Sequence, residues 1–146
     1  MTELFKYRNE IQQIRESGVC CPPNELTAPN NLRAFRFVFE DSNNVRNHKP
    51  PGANNPKRIL TEKEQKKCSL FGLSCFKGQE GAKQFFYKLS KHNPKFYKAV
   101  GETLSTGVLN DDDGLITEED ENTHFDLFEF ESCDLSAKFT PIEKLI

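Results

Sequence analysis

Hydrophobic and polar residues alternate along residues 32–40 of the chain. Phe35, Phe37 and Phe39 occupy every second position, and Arg36 lies between two of them. Because successive side chains of a strand point to opposite faces, this pattern predicts a half-buried strand with Arg36 on the face away from the phenylalanines.

A second alternating segment lies near the end of the chain, in residues 124–132. Phe128 and Phe130 share one face of the predicted strand, and Glu129 and Glu131 share the other. Two further segments complete the predicted sheet. They are an apolar run at residues 68–76 and a short strand near residues 107–110.

A period of 3.6 residues marks the predicted helices. In residues 78–92 an alanine, two phenylalanines and a leucine recur at positions i, i+3, i+4 and i+7, which is typical of a helix with one buried face. Asn93 followed by Pro94 favours a new helix start, and the apolar spacing predicts that this second helix continues to Leu104. Residues 2–16 predict a short amphipathic helix.

Residues 41–58 are the longest predicted loop, because they are rich in Asn and Pro and nearly free of apolar side chains. Long loops in small domains often carry function, so this segment is the candidate partner contact. Its candidate partner-binding residues are Arg46, His48, Lys49, Lys57 and Arg58. The following Thr61-Glu62-Lys63-Glu64 matches a capping box and predicts one or two helical turns up to Lys67.

These elements predict a single α+β domain over residues 1–146. We expect a small antiparallel or mixed sheet with two helices packed on one face and the N-terminal helix at an edge. The chain is polar, with a mean hydropathy of −0.69, but its 13 phenylalanines supply a core. The residues expected to cover an edge of that core are Phe139, Ile142, Leu145 and Ile146.

The formal charge of −2 conceals a separation of charge along the chain. Residues 43–98 contain 13 Lys and Arg but 3 acidic residues, whereas residues 99–146 contain 2 Lys and 13 acidic residues. The basic middle either folds against the acidic end or meets a polyanion, such as nucleic acid or the phosphates of a nucleotide. Nucleic acid is the less favoured partner, because dedicated binders are basic over the whole domain.

The five cysteines are an odd number and include no Cys-x-x-Cys pair. This favours reduced thiols in a cytosol-like compartment over a disulfide framework. No stretch approaches the roughly 18 apolar residues of a membrane span, and the first residues lack the layout of a signal peptide. We therefore expect a cytoplasmic protein without a membrane segment.

No metal site is expected. A zinc site would have to combine Cys68, Cys75 and His92, whose spacing is not that of zinc ligands. The acidic turn around Asp111–Gly114 matches a calcium-binding loop in its middle but not at its first and last ligand positions. An Asp-rich turn explains these residues equally well.

A hydrolase site is a further candidate. Ser74 or Cys75 would be the nucleophile, with His124 and Asp126 as its partners. The segment that begins at Gly72 lacks the second glycine of a nucleophile elbow, which counts against this hypothesis.

Arg36, Ser74 and Glu129-Phe130-Glu131 follow one another on three predicted strands. In this order they resemble the mono-ADP-ribosyltransferase superfamily, which carries an Arg, a Ser and a late Glu-x-Glu on successive core strands. The resemblance implies NAD as cofactor, held by Arg36 at its diphosphate or ribose and oriented by Ser74. It implies that Glu131 stabilises the oxocarbenium-like transition state and that Glu129 activates or recognises an acceptor.

Two hypotheses on function follow. The first is a non-catalytic interaction domain, such as an accessory, inhibitor or adaptor protein with a protein partner, and it is favoured because the chain has no strong catalytic motif. The alternative is a small NAD-using ADP-ribosyltransferase or NAD glycohydrolase, which requires Arg36, Ser74 and Glu131 to converge on one pocket. Otherwise Arg36 is expected to form an ion pair with Glu129 or Glu131 across neighbouring strands.

Overall fold

A six-stranded antiparallel sheet lies at the centre of the computed structural model, which describes residues 4–146. Its spatial order is β4-β5-β2-β1-β3-β6. The strands are β1 (Leu32–Val38), β2 (Leu73–Phe76), β3 (Thr103–Leu109), β4 (Gly114–Ile116), β5 (His124–Glu129) and β6 (Thr140–Lys144). The helices are α1 (Arg8–Glu16), α2 (Pro51–Asn54), α3 (Arg58–Thr61), α4 (Gln79–His92) and α5 (Phe96–Val100), with 3₁₀ turns at Glu64–Lys66, Cys68–Phe71 and Leu135–Ala137. The predicted α+β fold is confirmed.

One face of the sheet carries the helices. Phe35 is paired with Phe76, and Phe37 with Leu104, so all four side chains point to this side. They form one cluster with buried residues of α4 and partly buried residues of α5. We call this side, which also carries Ser74, His124 and Asp126, the helical face.

A second cluster covers the same face near β5. Ile11 and Ile14 of α1 pack there with Phe71 and with Phe128 of β5. Two separate apolar clusters therefore lie on the helical face, one under α4 and α5 and the other under α1.

The opposite side of the sheet is the closed face, defined by Ala34, Arg36, Cys75, Leu127 and Glu129, which alternate with the residues of the helical face. Its core is covered by the 3₁₀ turn Leu135–Ala137 and by Phe139. The prediction that Arg36 lies on the face away from the phenylalanines of its strand is confirmed. Arg36 is paired with Ser105, whereas its neighbour Phe37 is paired with Leu104, which points to the helical face.

The second predicted helix is shorter than the pattern indicated. It ends at Val100, and Leu104 belongs to β3. Gly101 ends the helix with a φ of 104°, a conformation that favours glycine, and a Cβ at Gly101 would lie 2.2 Å from the carbonyl oxygen of Val38. The chain can therefore turn sharply into the sheet at this position.

Two other local predictions are correct only in part, since a strand does form at Leu73–Phe76 and the 3₁₀ turn Glu64–Lys66 does lie before Lys67. The apolar run at residues 68–76 begins as the 3₁₀ turn Cys68–Phe71 and becomes a strand at Leu73. The capping box does not start a helix at Thr61, which instead ends α3 and donates its hydroxyl to the carbonyl of Arg58 at 3.3 Å.

The predicted loop at residues 41–58 contains α2 and the first residue of α3. Asn47 receives a hydrogen bond from the amide of Phe39 at 2.8 Å, and Asn54 donates to the carbonyl of Lys49 at 3.3 Å. Gly52 packs so closely that a Cβ there would lie 2.7 Å from the ring of Phe71. The loop is therefore folded back against the domain.

The basic middle and the acidic end of the chain are joined by ion pairs. Lys77 lies 3.2 Å from Glu119, and Lys83 lies 2.8 Å from Glu143. Some charged residues of these two regions therefore pair with each other within the domain. At the C-terminus, Phe139 and Leu145 are buried whereas Ile142 and Ile146 are exposed.

A disulfide joins Cys21 to Cys68 across a sequence separation of 47 residues, so the expectation of reduced thiols is wrong for this pair. It ties the segment after α1 to the 3₁₀ turn before β2. Cys75 and Cys133 are buried free thiols, and Cys20 is exposed. A disulfide is typical of oxidising compartments, which counts against the cytoplasmic location; that location stays a prediction.

None of the helices formed by residues 4–146 is long and apolar enough to cross a membrane.

Candidate functional site

Arg36 is buried on the closed face and holds the central strands together. The pairing of β1 with β2 is made at Phe35 and Phe76, and the guanidinium of Arg36 adds a hydrogen bond to the carbonyl of Ser74 at 2.6 Å. It also donates to Nδ1 of His48 at 3.3 Å. These bonds give Arg36 a structural part in the junction of the two strands.

Glu129 is also buried on the closed face, where Lys6 is its ion-pair partner with 2.8 Å between Nζ and Oε2. The other carboxylate oxygen, Oε1, has no hydrogen-bond partner among the described residues. Burial raises the pKa of Glu129, and the hydrogen bond from Lys6 opposes that shift. Lys6 also donates to the carbonyl of Cys133 at 2.6 Å.

Glu131 lies in a different environment from Glu129. It is exposed beyond the end of β5 and forms an ion pair with Arg8. The structure brings Arg36 and Ser74 to the lining of one cavity, but Glu131 does not line it, and β2 separates Arg36 from the strand of Glu129. The resemblance to mono-ADP-ribosyltransferases stays a prediction. Its catalytic assignments require all three side chains in one pocket, and Glu131 is not there.

The five candidate partner-binding residues of the 41–58 segment divide into two groups. Arg46, Lys49, Lys57 and Arg58 are exposed, although Arg46 also donates to the carbonyls that end α5 at 3.1 and 3.0 Å. His48 points inward instead. Burial, followed by the neighbouring Arg36, lowers its pKa to about 3, so His48 is a neutral structural residue.

A cleft opens on the helical face between the two apolar clusters. It consists of two adjoining cavities of about 270 Å³ and about 460 Å³, and both are lined by Pro51, Arg58 and Ser74. We call the first the aromatic cavity, because Phe37, Phe85 and Phe96 line it. The second is the serine cavity, whose further lining includes Ser69, Lys66, His124 and Asp126.

Ser74 and His124 are joined by a hydrogen bond in the serine cavity. Oγ of Ser74 lies 2.6 Å from Nε2 of His124. The register explains the contact, because Ser74 is opposite Asp126 and His124 is opposite Phe76 on the neighbouring strand. The ring of His124 stacks nearly parallel on Phe85 at 6.2 Å between centroids, which fixes its orientation.

Two carboxylates flank the imidazole. Oδ2 of Asp120 lies 3.8 Å from Nδ1 of His124, and Oδ1 of Asp126 lies 3.8 Å from Nε2. Asp120 is held in place because its Oδ1 accepts the backbone amides of Asn122 and His124 at 2.8 and 3.0 Å. A proton on Nδ1 would face Asp120 and would leave Nε2 free to accept the hydroxyl of Ser74.

Burial sets the charge of these groups. It lowers the pKa of His124, so the imidazole is neutral at pH 7 and can accept a proton. Burial, aided by Asp120, raises the pKa of Asp126 to about 7. The polar centre of the cleft therefore holds a neutral imidazole beside a carboxyl group whose pKa is shifted towards neutral pH, and shifted pKa values are frequent at functional sites.

Metal binding has no support among residues 4–146, where no group of three His, Cys, Asp or Glu side chains is placed to hold an ion. In the acidic turn, Asp113 accepts the amide of Asn110 at 2.8 Å, and Asp111 accepts the amide of Asn30 at 2.9 Å. These carboxylates stabilise the turn.

The hydrolase hypothesis named Ser74, His124 and Asp126, and the structure places all three in one cavity. Sequence reasoning missed Asp120 and the aromatic wall formed by Phe85 and its neighbours. Asp120 precedes His124 by four residues. That spacing indicates a contact between the two side chains only once β5 is known to start at His124.

Comparisons with protein-family models, curated proteins and solved structures found no match to this chain.

Proposed function

We propose that the protein binds a nucleoside phosphate in the cleft of the helical face. The observation that carries this proposal is the combination of an aromatic wall and a cationic rim in the aromatic cavity. A nucleobase stacks well on aromatic rings, and guanidinium and ammonium groups bind phosphate.

The aromatic wall comes from three elements of the fold. Phe37 of β1, Phe85 of α4 and Phe96 of α5 are partly buried. Their ring centroids lie 6.4 to 6.5 Å apart, which is the distance of rings in mutual contact. Each leaves part of its surface to the cavity, so a flat ligand has apolar surface to cover.

The exposed cationic rim is formed by Arg46, Lys49 and Arg58, and the buried Arg36 also lines this cavity. Among the described residues that line this cavity none is acidic. Arg58 is half exposed, and its partner Glu62 is 3.5 Å away, a separation that leaves guanidinium donors available. Because Arg58 also lines the serine cavity, a phosphate bound by it would lie beside Ser74.

Isothermal titration calorimetry of the purified protein tests this proposal. The ligands are AMP, ATP, NAD, adenosine and inorganic phosphate. We expect AMP or ATP to bind more tightly than adenosine or phosphate alone, because they use both the wall and the rim. NAD belongs in the series because the resemblance to mono-ADP-ribosyltransferases implies it.

Arg58→Ala and Lys49→Ala should each weaken nucleotide binding by about tenfold, the usual effect of losing a charged hydrogen-bond donor. Lys57→Ala is the matched control, since Lys57 is exposed in the same segment but does not line either cavity. Absence of binding by every nucleotide at millimolar concentration, or an equal loss in the Lys57 variant, would contradict the proposal.

A protein-interaction domain is the second candidate function. It is favoured by Val45 and Leu60, which are 74% and 80% exposed among the basic residues of the same segment. Co-purification with an acidic partner should be lost when both residues are changed to Ser, while nucleotide binding is retained. Full retention of the partner would exclude this surface.

A further inference from the structure

Ser74 has the surroundings of an activated nucleophile. Its hydroxyl is within 2.6 Å of Nε2 of His124, inside the range expected for a nucleophile and its base. The hydroxyl is partly exposed and lines both cavities of the cleft. A ligand in either cavity can therefore reach it.

The base is oriented by its neighbours. Asp120 lies on the Nδ1 side of His124. The rings of Phe76 and Phe85 pack against the imidazole, with 5.3 and 6.2 Å between ring centroids. The histidine thus lies between the serine and the aspartate, which is the spatial arrangement of a hydrolytic triad. The distance of 3.8 Å between Asp120 and Nδ1 is longer than a hydrogen bond, as is common before substrate binds.

Positive charge is available for the reacting group. Arg58 and Lys66 line the serine cavity together with Ser74. Their charges would stabilise the negative oxygens of a phosphoryl group during its transfer. The lining also carries Glu62, which pairs with Arg58 at 3.5 Å, and Asp126, so the two cations lie in a cavity of mixed charge. The cavity therefore combines a nucleophile, a base and an electrostatic stabiliser.

We propose that Ser74 is the nucleophile and His124 the general base of a site that cleaves a phosphoester of a nucleoside. This proposal rests on the proposed function for its substrate. Oγ of Ser74 forms a bond to phosphorus, and the bond from phosphorus to the leaving alcohol breaks. Nε2 of His124 takes the hydroxyl proton and delivers it to the leaving oxygen.

Water completes the reaction. It attacks the phosphorus of the phosphoserine while His124 accepts a proton from it, and the bond between phosphorus and Oγ breaks. The proton then returns to Ser74, so the enzyme is regenerated and the products are a phosphate ester or phosphate and an alcohol. Asp120 is a positioning residue in this scheme, because it acts through His124.

Covalent labelling with a fluorophosphonate probe tests the nucleophile. The bond from Oγ to phosphorus forms, fluoride leaves and the proton goes to His124. We expect a single adduct by intact mass spectrometry, mapped to Ser74 by peptide analysis. Ser74→Ala should abolish the adduct, and His124→Gln should slow its formation at least tenfold.

Ser132→Ala is the matched control. Ser132 is an exposed serine that lines neither cavity of the cleft. Its removal should leave labelling within twofold of the wild-type rate. Thermal melting of each variant shows whether the fold is retained, and the p-nitrophenyl ester of thymidine 5′-phosphate then reports phosphoester cleavage as nitrophenolate release.

Four outcomes are decisive. Labelling of Ser74 that depends on His124, together with nitrophenolate release lost in Ser74→Ala, supports the proposal. Nucleotide binding without labelling overturns the nucleophile and leaves the proposed function intact. Labelling of Ser74 without binding or cleavage of any nucleotide overturns the phosphoester substrate and the proposed function together. Adducts on Ser69, or labelling independent of His124, overturn the proposal.

Discussion

Buried polar side chains occur on both faces of the sheet, but they are satisfied in different ways. On the closed face, Arg36 and Lys6 bond to backbone carbonyls and to the buried side chains of His48 and Glu129. On the helical face, Ser74 and its partner His124 line a cavity that a ligand could enter. The closed face uses polar groups for folding, whereas the helical face leaves them accessible.

This difference shows that the residue type and its access to a cavity are separate evidence for function. A buried guanidinium or carboxylate suggests chemistry in a sequence, yet it must be paired in the fold or it destabilises the protein. A side chain that acts on a ligand must also be accessible from a cavity. Ser74 meets this requirement, whereas Glu129 does not line either cavity of the cleft. Substitution of Lys6 or Glu129 should therefore change stability alone, whereas substitution of a residue that lines the cleft should change binding, with or without a change in stability.

The largest expected effect comes from the disulfide, which anchors the wall of the cleft. Cys21→Ala together with Cys68→Ala should lower the free energy of unfolding by about 4 kcal/mol, from the entropy of the loop that it closes. The wall includes Ser69, next to Cys68, so nucleotide binding should weaken as well. Urea denaturation of both proteins measures the first effect, and calorimetry the second.

The variant Cys20→Ala is the control for the disulfide, because Cys20 is an exposed free thiol. It should match the wild type within about 0.5 kcal/mol. Unchanged stability of the double variant, or of the wild type under reducing conditions, would show that the disulfide does not contribute.

Lys6→Met should have the next largest effect, confined to stability. Without the ammonium group, the carboxylate of Glu129 is buried without its ion-pair partner, and we expect a loss of about 3 kcal/mol at pH 7. Since burial already raises the pKa of Glu129, the folded variant binds a proton more readily than the unfolded chain. The loss should therefore shrink as the pH falls towards about 4.5, the pKa of an unperturbed Glu.

Lys57→Met serves as the control for Lys6→Met, since Lys57 is exposed. A loss below 1 kcal/mol in Lys6→Met, or a loss independent of pH, would show that the ion pair does not compensate the burial of Glu129. Nucleotide binding by folded Lys6→Met should equal that of the wild type, because Lys6 lies on the other side of the sheet from the cleft.

Asp126 should give a smaller and pH-dependent effect on the helical face. Its folded-state pKa of about 7 lies above the 3.8 of an unperturbed Asp, so its contribution to stability is full below about pH 4 and is lost as the pH rises to about 7. Asp126→Asn removes this titration. The variant should gain about 2 kcal/mol relative to the wild type between pH 5 and pH 8, less than the full shift implies because the side chain is partly exposed.

Guanidinium denaturation at a series of pH values measures this difference, with Asp120→Asn as the comparison because its carboxylate is half exposed. Two parallel curves for wild type and Asp126→Asn would contradict the shifted pKa.

Local patterns predicted much of the fold. The alternation around Arg36 and the 3.6-residue period of α4 both depend on short-range geometry, and both are confirmed. The extent of the second helix and the pairing of Cys21 with Cys68 depend on contacts distant in sequence. For that reason Leu104 was assigned to a helix and the cysteines to a reduced state.

The candidate site was accessible to sequence reasoning in its residue types but not in its geometry. Ser74 and His124 carry the chemistry of a nucleophile and a base, but 50 residues separate them, and their contact depends on the pairing of β2 with β5. Arg36 was correctly placed opposite its neighbouring phenylalanines. The register with β2, which a single sequence does not supply, then shows that the side chain of Ser74 lies on the other face.

The smallest expected effect concerns Glu131, which distinguishes an exposed ion pair from a catalytic carboxylate. Glu131→Gln should change the free energy of unfolding by less than about 0.5 kcal/mol, because its pair with Arg8 is exposed. Arg8→Gln should give a change of similar size, and the double variant measures their coupling. Nucleotide binding and labelling of Ser74 should be unaffected in each. Loss of nicotinamide release from NAD in Glu131→Gln, with release intact in Arg8→Gln, would instead assign catalysis to Glu131 and place the reaction outside the cleft.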